Sequence, residues 1–219
     1  MTDCKPVSTP MEVGLSLEKN KSACEELYPY RELIGSLMYI AVNCRPDIAS
    51  SVSYLSQFNS CYDSSHWKAA KRILRYLKGT IDLGIEYRKT GSLAVTAYVD
   101  ADWANDKEDR RSYTGFIFKL AGGPVSWESR KQRTVALSST EAEYMALSDG
   151  AKEAKFLQNV LLELFGRKES IVIYNDNQSA QKLSVNHMWN RRTKHIDIRN
   201  LLYICQIPLT HVSTHSLNY

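Results

Sequence analysis

The sequence has few cysteines, and none of them forms a pattern that signals a metal or redox site. The five cysteines are odd in number and widely spaced, and no two form a CxxC pair. This excludes a zinc ribbon and a dithiol redox motif, and it favours a reducing compartment. No apolar run follows Met1, and none approaches the roughly 20 residues of a membrane span. We therefore expect an intracellular protein, in the cytoplasm or the nucleus, without a signal peptide.

Other common signatures are also missing. The sequence contains no Walker-type glycine-rich loop, no internal repeat and no low-complexity segment, and no Ser/His/Asp or Cys/His set stands out. Its 43% hydrophobic and 24% charged residues are ordinary for a globular protein, and 219 residues allow one large domain or two small ones. A net charge of +4 is by itself weak support for a nucleic-acid partner.

The chain begins with an irregular part and continues with a helical one. Residues 1–25 contain two prolines and a polar stretch, so we expect an irregular segment. Residues 29–80 show the apolar periodicity of three helices. The third helix is predicted to begin at an N-cap, Ser64 or Ser65, and to stop at Gly79.

The third predicted helix carries a basic stripe. It contains no acidic residue, and its cations share one face opposite an apolar face. Such a stripe can follow the phosphates of a nucleic acid and release counterions. An ordinary solvated face is the alternative, whereas few large apolar side chains are present for binding a membrane surface. The cations are Lys68, Lys71, Arg72, Arg75 and Lys78.

From about residue 82 onwards, the chain alternates strands and helices. A long helix is predicted over 139–165, where Ser138 and Glu141 fit a capping box and Gly166 fits the end. Shorter helices are predicted near 177–185 and 194–205. Strands are predicted at 83–88, 93–100, 113–119, 125–128, 133–137, 171–174 and 207–212. Three antiparallel strands followed by helix, strand, helix and strand predict an α/β fold.

Three carboxylates lie at positions where the predicted strands and the long helix would bring them close together. Asp100 ends a strand, Glu143 lies one turn into the long helix, and Asp176 ends a second strand. Carboxylate oxygens are the ligands that Mg²⁺ prefers, and two such ions about 4 Å apart can assist phosphodiester cleavage. Asp102 competes with Asp100 for this role, and Glu141 competes with Glu143, although the capping pattern gives Glu141 a structural task.

Motifs around these carboxylates carry a family resemblance. They are Tyr98-Val-Asp-Ala-Asp-Trp-Ala104, Asp109-Arg-Arg-Ser-Tyr-Thr-Gly115, Ser138-Ser-Thr-Glu-Ala-Glu-Tyr-Met-Ala-Leu147, Tyr174-Asn-Asp-Asn-Gln178 and Lys194-His-Ile-Asp197. In this order they resemble the ribonuclease H domain of copia-type LTR retrotransposon Pol polyproteins. Residues 3–11 resemble the tail of the reverse transcriptase in those proteins, which implies that residues 1–25 lack their partner and fray. Residues 30–39, 45–47 and 75–80 resemble the segment that joins polymerase to ribonuclease H.

The resemblance implies three domains and a chemistry. The domains are the end of a reverse transcriptase (1–25), a helical connection segment (26–92) and a ribonuclease H-like domain with a mixed sheet of about five strands (93–219). The implied activity is hydrolysis of the RNA strand of RNA–DNA hybrids during reverse transcription. The implied metal ligands are Asp100, Glu143 and Asp176, with Mg²⁺ or Mn²⁺ as the cofactor.

The resemblance also implies further contacts and a missing ligand. Two additional basic clusters would grip the hybrid, and the missing reverse transcriptase portion is a possible partner. Related sites supply a further Asp just beyond a segment similar to 210–214, yet no Asp follows Asp197 before the sequence stops. We therefore expect reduced or absent activity, and the alternative is a non-catalytic nucleic-acid-binding or interaction remnant. The two clusters contain Arg130, Lys131, Arg192, Lys194 and His195.

Overall fold

Two separate apolar cores organise the chain. The structure, a computed structural model, describes residues 3–20, 28–89, 94–106, 108–167, 169–185 and 209–211. One core lies in the compact unit Met1–Ile85, and the other lies in the compact unit Glu86–Tyr219. Among the described residues, no helix combines the length and the apolar content that crossing a membrane requires. The three predicted domains stay a prediction.

The first unit contains the three predicted helices. They are α1 (Tyr30–Asn43), α2 (Ala49–Ser56), which a 3₁₀ turn over Pro46–Ile48 precedes, and α3 (Ser64–Gly79). Each buries one apolar stripe, because residues three and four apart share a helix face. The fully buried members include Leu37 in α1, Val52 in α2 and Ile73 in α3.

The start of α3 differs from the prediction. Its N-cap is Asp63, and the prediction of Ser64 or Ser65 was wrong. The Asp63 carboxylate accepts hydrogen bonds from the backbone N–H groups of Ser65 (2.8 Å) and His66 (3.3 Å). Burial raises the pKa of Asp63, but the hydrogen bonds from Ser65 and His66 outweigh it and lower that pKa to about 2. The Asp63 carboxylate accepts hydrogen bonds from two amides at the start of the helix and interacts favourably with the helix dipole. It is therefore a better N-cap here than a serine hydroxyl.

The N-terminal segment is irregular, as predicted, but it does not lack a partner. Residues 3–20 form no helix or strand, and they pack along α3. The Leu17 N–H donates to the Tyr54 hydroxyl (3.0 Å), and the Arg75 Nε–H donates to the Lys5 carbonyl (2.7 Å). The expectation of a frayed segment was therefore wrong for these residues. It overlooked that the segment's own apolar side chains, Met11, Leu15 and Leu17, add to the helical core.

The second unit is an α/β domain built on one mixed sheet. Strand β1 pairs antiparallel with β2, which pairs antiparallel with β3, while β1 and β5 both pair parallel with β4. The sheet order is therefore β3-β2-β1-β4-β5. This confirms the predicted α/β class with a mixed sheet. The elements are β1 (Val95–Asp102), β2 (Tyr113–Leu120), β3 (Gly123–Lys131), α4 (Ser139–Phe165), β4 (Ile171–Asn175), α5 (Gln178–Val185) and β5 (Leu209–His211).

Two predicted strands are absent from the described sheet. Residues 83–88 are irregular, and the Arg88 N–H donates a single backbone bond to Ala121 O (2.8 Å). Residues 133–137 are also irregular, because β3 already extends to Lys131 and the chain must then leave the sheet to reach α4. Alternating side chains favour a strand only where a neighbouring strand supplies the ladder. The predicted helix at 194–205 lies outside the described residues.

The long helix α4 packs closely on β1, and a glycine permits the contact. Its start at the Ser138 cap and its end at Gly166, which has φ 67°, are as predicted. A Cβ placed on Gly150 would lie 2.7 Å from Val99 Cγ2. The absence of a side chain at Gly150 therefore lets α4 approach the strand that carries Asp100.

Candidate metal centre

Strand register and helix packing bring the three predicted carboxylates together. Tyr98 of β1 lies beside Tyr174 of β4 in a parallel pair, so Asp100 and Asp176, each two residues further on, emerge at the same sheet edge. Glu143, in the second turn of α4, is brought to that edge by the packing of the helix on β1. One carboxylate oxygen from each residue lies within 4.8 Å of the other two.

The two competing carboxylates have other partners. Glu141 accepts a hydrogen bond from the Leu137 backbone N–H (2.9 Å), and its own N–H donates to the Ser138 hydroxyl (3.2 Å). The predicted capping box is therefore half formed, since the Glu141 carboxylate binds the amide one residue before the cap. Asp102 accepts a hydrogen bond from the side-chain amide of Asn105. Neither belongs to the carboxylate group around Glu143.

Glu143 is buried, whereas Asp100 and Asp176 are exposed. Burial raises the pKa of Glu143 to about 8, and the charges of Asp100 and Asp176 raise it as well. Hydrogen bonds from Asn175 and from the Ala101 backbone oppose the increase. Like charges held this close repel unless a proton or a cation neutralises them. Three converging carboxylates are a donor set that fits a hard divalent cation.

Asn175 fixes Glu143 in place, and the sequence analysis missed it. Its amide Nδ2 donates to Glu143 Oε2 (2.9 Å) and to the Val99 carbonyl (3.0 Å). It therefore ties α4, β1 and β4 together at the carboxylates. A signal was available, because Ile171, Ile173 and Asn175 alternate inward along β4. A polar residue at a buried strand position needs hydrogen-bond partners, and here one partner is Glu143.

The segment after Asp176 is held by a helix cap. The Asn177 side-chain carbonyl accepts a hydrogen bond from the Ala180 N–H (2.9 Å), which caps α5. Within α5, the Gln181 side-chain amide donates to the Asn175 backbone carbonyl (2.8 Å). Asp176 is therefore positioned between the end of a buried strand and a capped helix.

Of the basic residues predicted to grip a hybrid, Arg130 and Lys131 are described, and both are ion-paired. Arg130 contacts Glu128 (3.0 Å) and Asp149 (2.7 Å). Lys131 contacts Asp109 (3.0 Å) and the buried Asp106 (2.5 Å). Both cations therefore have carboxylate partners within the domain. Arg192, Lys194 and His195 lie outside the described residues.

In the first unit, the N-terminal segment engages part of the predicted basic stripe. The Arg72 guanidinium contacts Glu12 (3.0 Å), and the Lys78 ammonium donates to the Cys4 carbonyl (2.9 Å). Lys71 lies over the ring of Trp67, 5.7 Å from its centroid. Beside these contacts is a cleft of about 560 Å³, which we call the α3 cleft. Its lining includes Leu15, Leu17, Lys68, Lys71, Arg72 and Arg75.

Relatives of the chain agree with the motifs and the fold. It is 43% identical over 206 residues to the retrovirus-related Pol polyprotein from transposon TNT 1-94 of Nicotiana tabacum, covering 91% of this chain and 15% of that protein. It is 42% identical over 223 residues to the corresponding polyprotein from transposon RE1 of Arabidopsis thaliana, with 98% and 15% covered. The chain belongs to the retrovirus-related Pol polyproteins of transposons. The predicted family resemblance is thereby confirmed.

This Pol polyprotein segment spans about 15% of the length of those relatives. It is also 54% identical over 129 residues to a protein named secreted RxLR effector protein 161 of Plasmopara viticola, covering 59% of the segment and 91% of that protein. No protein-family model matches it.

The solved structures found for this segment include ribonucleases H1. LC11-RNase H1, isolated from compost, is 12% identical with a TM-score of 0.42, covering 57% of this segment and 88% of that chain. The same ribonuclease has been solved in complex with an RNA/DNA hybrid, with a TM-score of 0.39. The ribonuclease H-like fold is seen in the segment itself, where three antiparallel strands are followed by helix, strand, helix and strand, the element order expected of such a domain. The Pol segment is therefore a retrotransposon-derived protein with a ribonuclease H-like domain.

Proposed function

We propose that the ribonuclease H-like domain hydrolyses the RNA strand of RNA–DNA hybrids with the help of a divalent cation. The observation that carries the proposal is the convergence of Asp100, Glu143 and Asp176 within 4.8 Å. The three residues come from β1, from α4 and from the residue after β4, so the whole domain fold is needed to assemble them. Membership of the Pol polyproteins supports the hybrid as the substrate.

The three carboxylates have different tasks. Exposed Asp100 and Asp176 would hold the cation from the solvent side, and buried Glu143 would complete its oxygen ligands from the protein side. Oxygen ligands suit Mg²⁺, and Mn²⁺ can replace it. When bound, the cation polarises a phosphoryl oxygen and lowers the pKa of a water molecule. Asn175 keeps the Glu143 carboxylate aimed at the same point throughout.

The protonation of Glu143 governs cation binding. A ligand carboxylate must lose its proton before it binds a cation, so cation affinity depends on pH. Because the Glu143 pKa is raised to about 8, affinity should rise as pH increases towards that value. A bound cation would then neutralise the negative charges of Asp100, Asp176 and Glu143 and so remove their mutual repulsion.

The nucleic acid would be recognised by shape rather than by sequence. A hybrid duplex is A-like, and its wide, shallow minor groove displays 2′-hydroxyls and base edges, with the backbone sugars alongside. The setting would be intracellular, where a reverse transcriptase portion could act on the same hybrid. A second candidate function is nucleic-acid binding without cleavage, which the cations lining the α3 cleft favour.

The deciding experiment is cleavage of a labelled RNA–DNA hybrid by the purified chain in Mg²⁺ and in Mn²⁺. Asp176→Asn should abolish cleavage. Asp102→Asn should not, because Asp102 ends β1 but lies outside the group of three carboxylates. Mg²⁺ should also raise the unfolding temperature of the parent chain more than that of Asp176→Asn. This second measurement reports cation binding independently of cleavage.

Two results would contradict the proposal. Cleavage that survives Asp176→Asn would place the chemistry elsewhere. A folded chain that binds the hybrid without cleaving it would instead favour the binding function. The expected loss of activity concerns residues 197–219, of which the structure describes only 209–211. A measurable cleavage rate would contradict this expectation and support the proposed hydrolysis.

A further inference from the structure

An exposed apolar patch adjoins the elements that carry the candidate metal centre. It consists of Trp103, which is 48% exposed, Val135 (44%) and Leu137 (75%). The indole Nε1–H of Trp103 donates to the carbonyl of Ala136 (3.3 Å), so the ring lies beside the segment that carries the two aliphatic side chains. Large apolar side chains exposed together often mark a contact surface.

The backbone around Trp103 is anchored, although its ring is open to solvent. The following residue, Ala104, is only 8% exposed and has φ 52°. Its N–H donates to the hydroxyl of the fully buried Ser112 (3.0 Å). On the other side of the indole, Ala136 is only 4% exposed. The chain therefore fixes an indole ring at the surface and leaves about half of Trp103 accessible to solvent.

The patch adjoins two of the elements that supply carboxylates, β1 and α4. Trp103 directly follows β1 and stands three residues after Asp100. Leu137 is bonded through its backbone N–H to Glu141 in the first turn of α4, the helix that carries Glu143. A nucleic-acid strand with a phosphate at the carboxylates would continue over neighbouring surface for several nucleotides.

We propose that Trp103, Val135 and Leu137 form a platform that binds the sugar faces of the nucleic-acid strand held at the carboxylates. The proposal rests on the proposed function, because that function places a strand there. In an A-like duplex the bases are stacked inside, so the apolar surface that a protein meets across the minor groove is mainly sugar. Trp103 is thus a substrate-binding residue, and it takes no part in the bond-breaking step.

The test measures hybrid binding and cleavage separately. Binding of a fluorescently labelled RNA–DNA hybrid is measured with the full chain carrying Asp176→Asn, so that cleavage does not interfere. Adding Trp103→Ala should weaken binding roughly tenfold, because the variant loses the apolar surface that the indole would bury against the sugars. Trp103→Phe should retain most of the affinity, since it keeps a ring and loses only the bond to Ala136. In the cleaving chain, Trp103→Ala should raise KM more than it lowers kcat.

A matched pair of leucines provides the control. Leu137→Ala and Leu164→Ala remove the same atoms from positions of similar exposure, 75% and 69%. Leu137 belongs to the platform, whereas Leu164 lies near the far end of α4. Only Leu137→Ala should weaken hybrid binding, and neither should alter the unfolding temperature appreciably.

Several outcomes would overturn the platform. One is unchanged binding and KM in Trp103→Ala. Another is a lowered unfolding temperature with unchanged binding, which would mean that the ring packs against the chain itself. A change in oligomeric state with unchanged binding would make the patch an interface between copies. If the parent chain does not bind the hybrid, both proposals are overturned. If the parent binds but does not cleave it, and Trp103→Ala weakens that binding, only the proposed hydrolysis is overturned.

Discussion

At the scale of single residues, Glu143 links the charge state of the centre to the stability of the fold. Its pKa is raised from 4.5 to about 8, chiefly by burial. Without a divalent cation, the folded chain therefore keeps a proton that the unfolded chain releases above about pH 4.5. The contribution of Glu143 to stability is then most favourable below pH 4.5, and it is lost as pH rises to about 8.

Replacing Glu143 by Gln should remove this dependence. In EDTA, the free energy of unfolding of the parent should fall relative to that of Glu143→Gln between pH 5 and pH 8.5, by an amount on the order of a few kcal/mol. Urea unfolding at several pH values measures the difference. Glu163→Gln, an exposed carboxylate in the same helix, is the control and should follow the parent. Parallel curves for the parent and Glu143→Gln would contradict the assignment of the raised pKa.

Asn175 is a buried strand residue whose hydrogen-bond partner lies far away in the sequence. The period of two along β4 indicated an inward residue there, but it did not indicate the partner. The partner comes from α4, 32 residues earlier in the chain. Only the packing of the helix on the sheet brings the amide and the carboxylate within hydrogen-bond distance.

At the scale of elements, the approach of α4 to β1 controls the position of Glu143. Gly150→Ala should destabilise the domain by about 1–3 kcal/mol, because the new methyl group would overlap the buried Val99. Gly35→Ala in α1 should have the opposite sign and stabilise by about 0.5–1 kcal/mol, since no atom lies within 4 Å of its Cβ. Thermal or urea unfolding of both variants measures the effects. If both substitutions changed the free energy of unfolding in the same direction, helix propensity rather than close packing would decide the outcome at Gly150.

Elements that carry their own boundary signals were predicted well. The helix α4 begins at the Ser138 cap and ends at Gly166, as local backbone chemistry dictates. The wrong strands at 83–88 and 133–137 had the alternation of a strand but no such local determinant. A strand needs a neighbour at the right distance, and β3 extends beyond its predicted range to Lys131, after which the chain leaves the sheet.

At the scale of the whole molecule, the basic face of α3 combines two tasks. Arg72 and Arg75 bind residues 3–20, while Lys68 is exposed and lines the α3 cleft with Lys71. Replacing Lys68 and Lys71 by Gln should weaken hybrid binding and lower the slope of log affinity against log salt by about 0.9 for each phosphate that is no longer neutralised. The unfolding temperature of this double variant should stay close to that of the parent.

The matched pair to this double variant is Arg72→Gln with Arg75→Gln. It removes the same number of charges from the same helix, but it also releases the N-terminal segment from α3, because it removes the contacts of that helix with Glu12 and with the Lys5 carbonyl. We expect a lower unfolding temperature from this variant. Binding isotherms at several salt concentrations and thermal unfolding distinguish the two variants. If both pairs alter binding and stability alike, the division of tasks along α3 is wrong.

The sequence by itself determined the family, the helices, the order of the principal elements and the three acidic residues that meet at the sheet edge. These follow from periodicity, capping residues and motifs, which are local properties of the chain. The tertiary structure decided which cations are already paired, where Trp103 is held, and that Asn175 fixes Glu143. Ion pairs, exposure and buried hydrogen bonds depend on residues far apart in the chain, so local patterns do not encode them until the sheet and helices have packed.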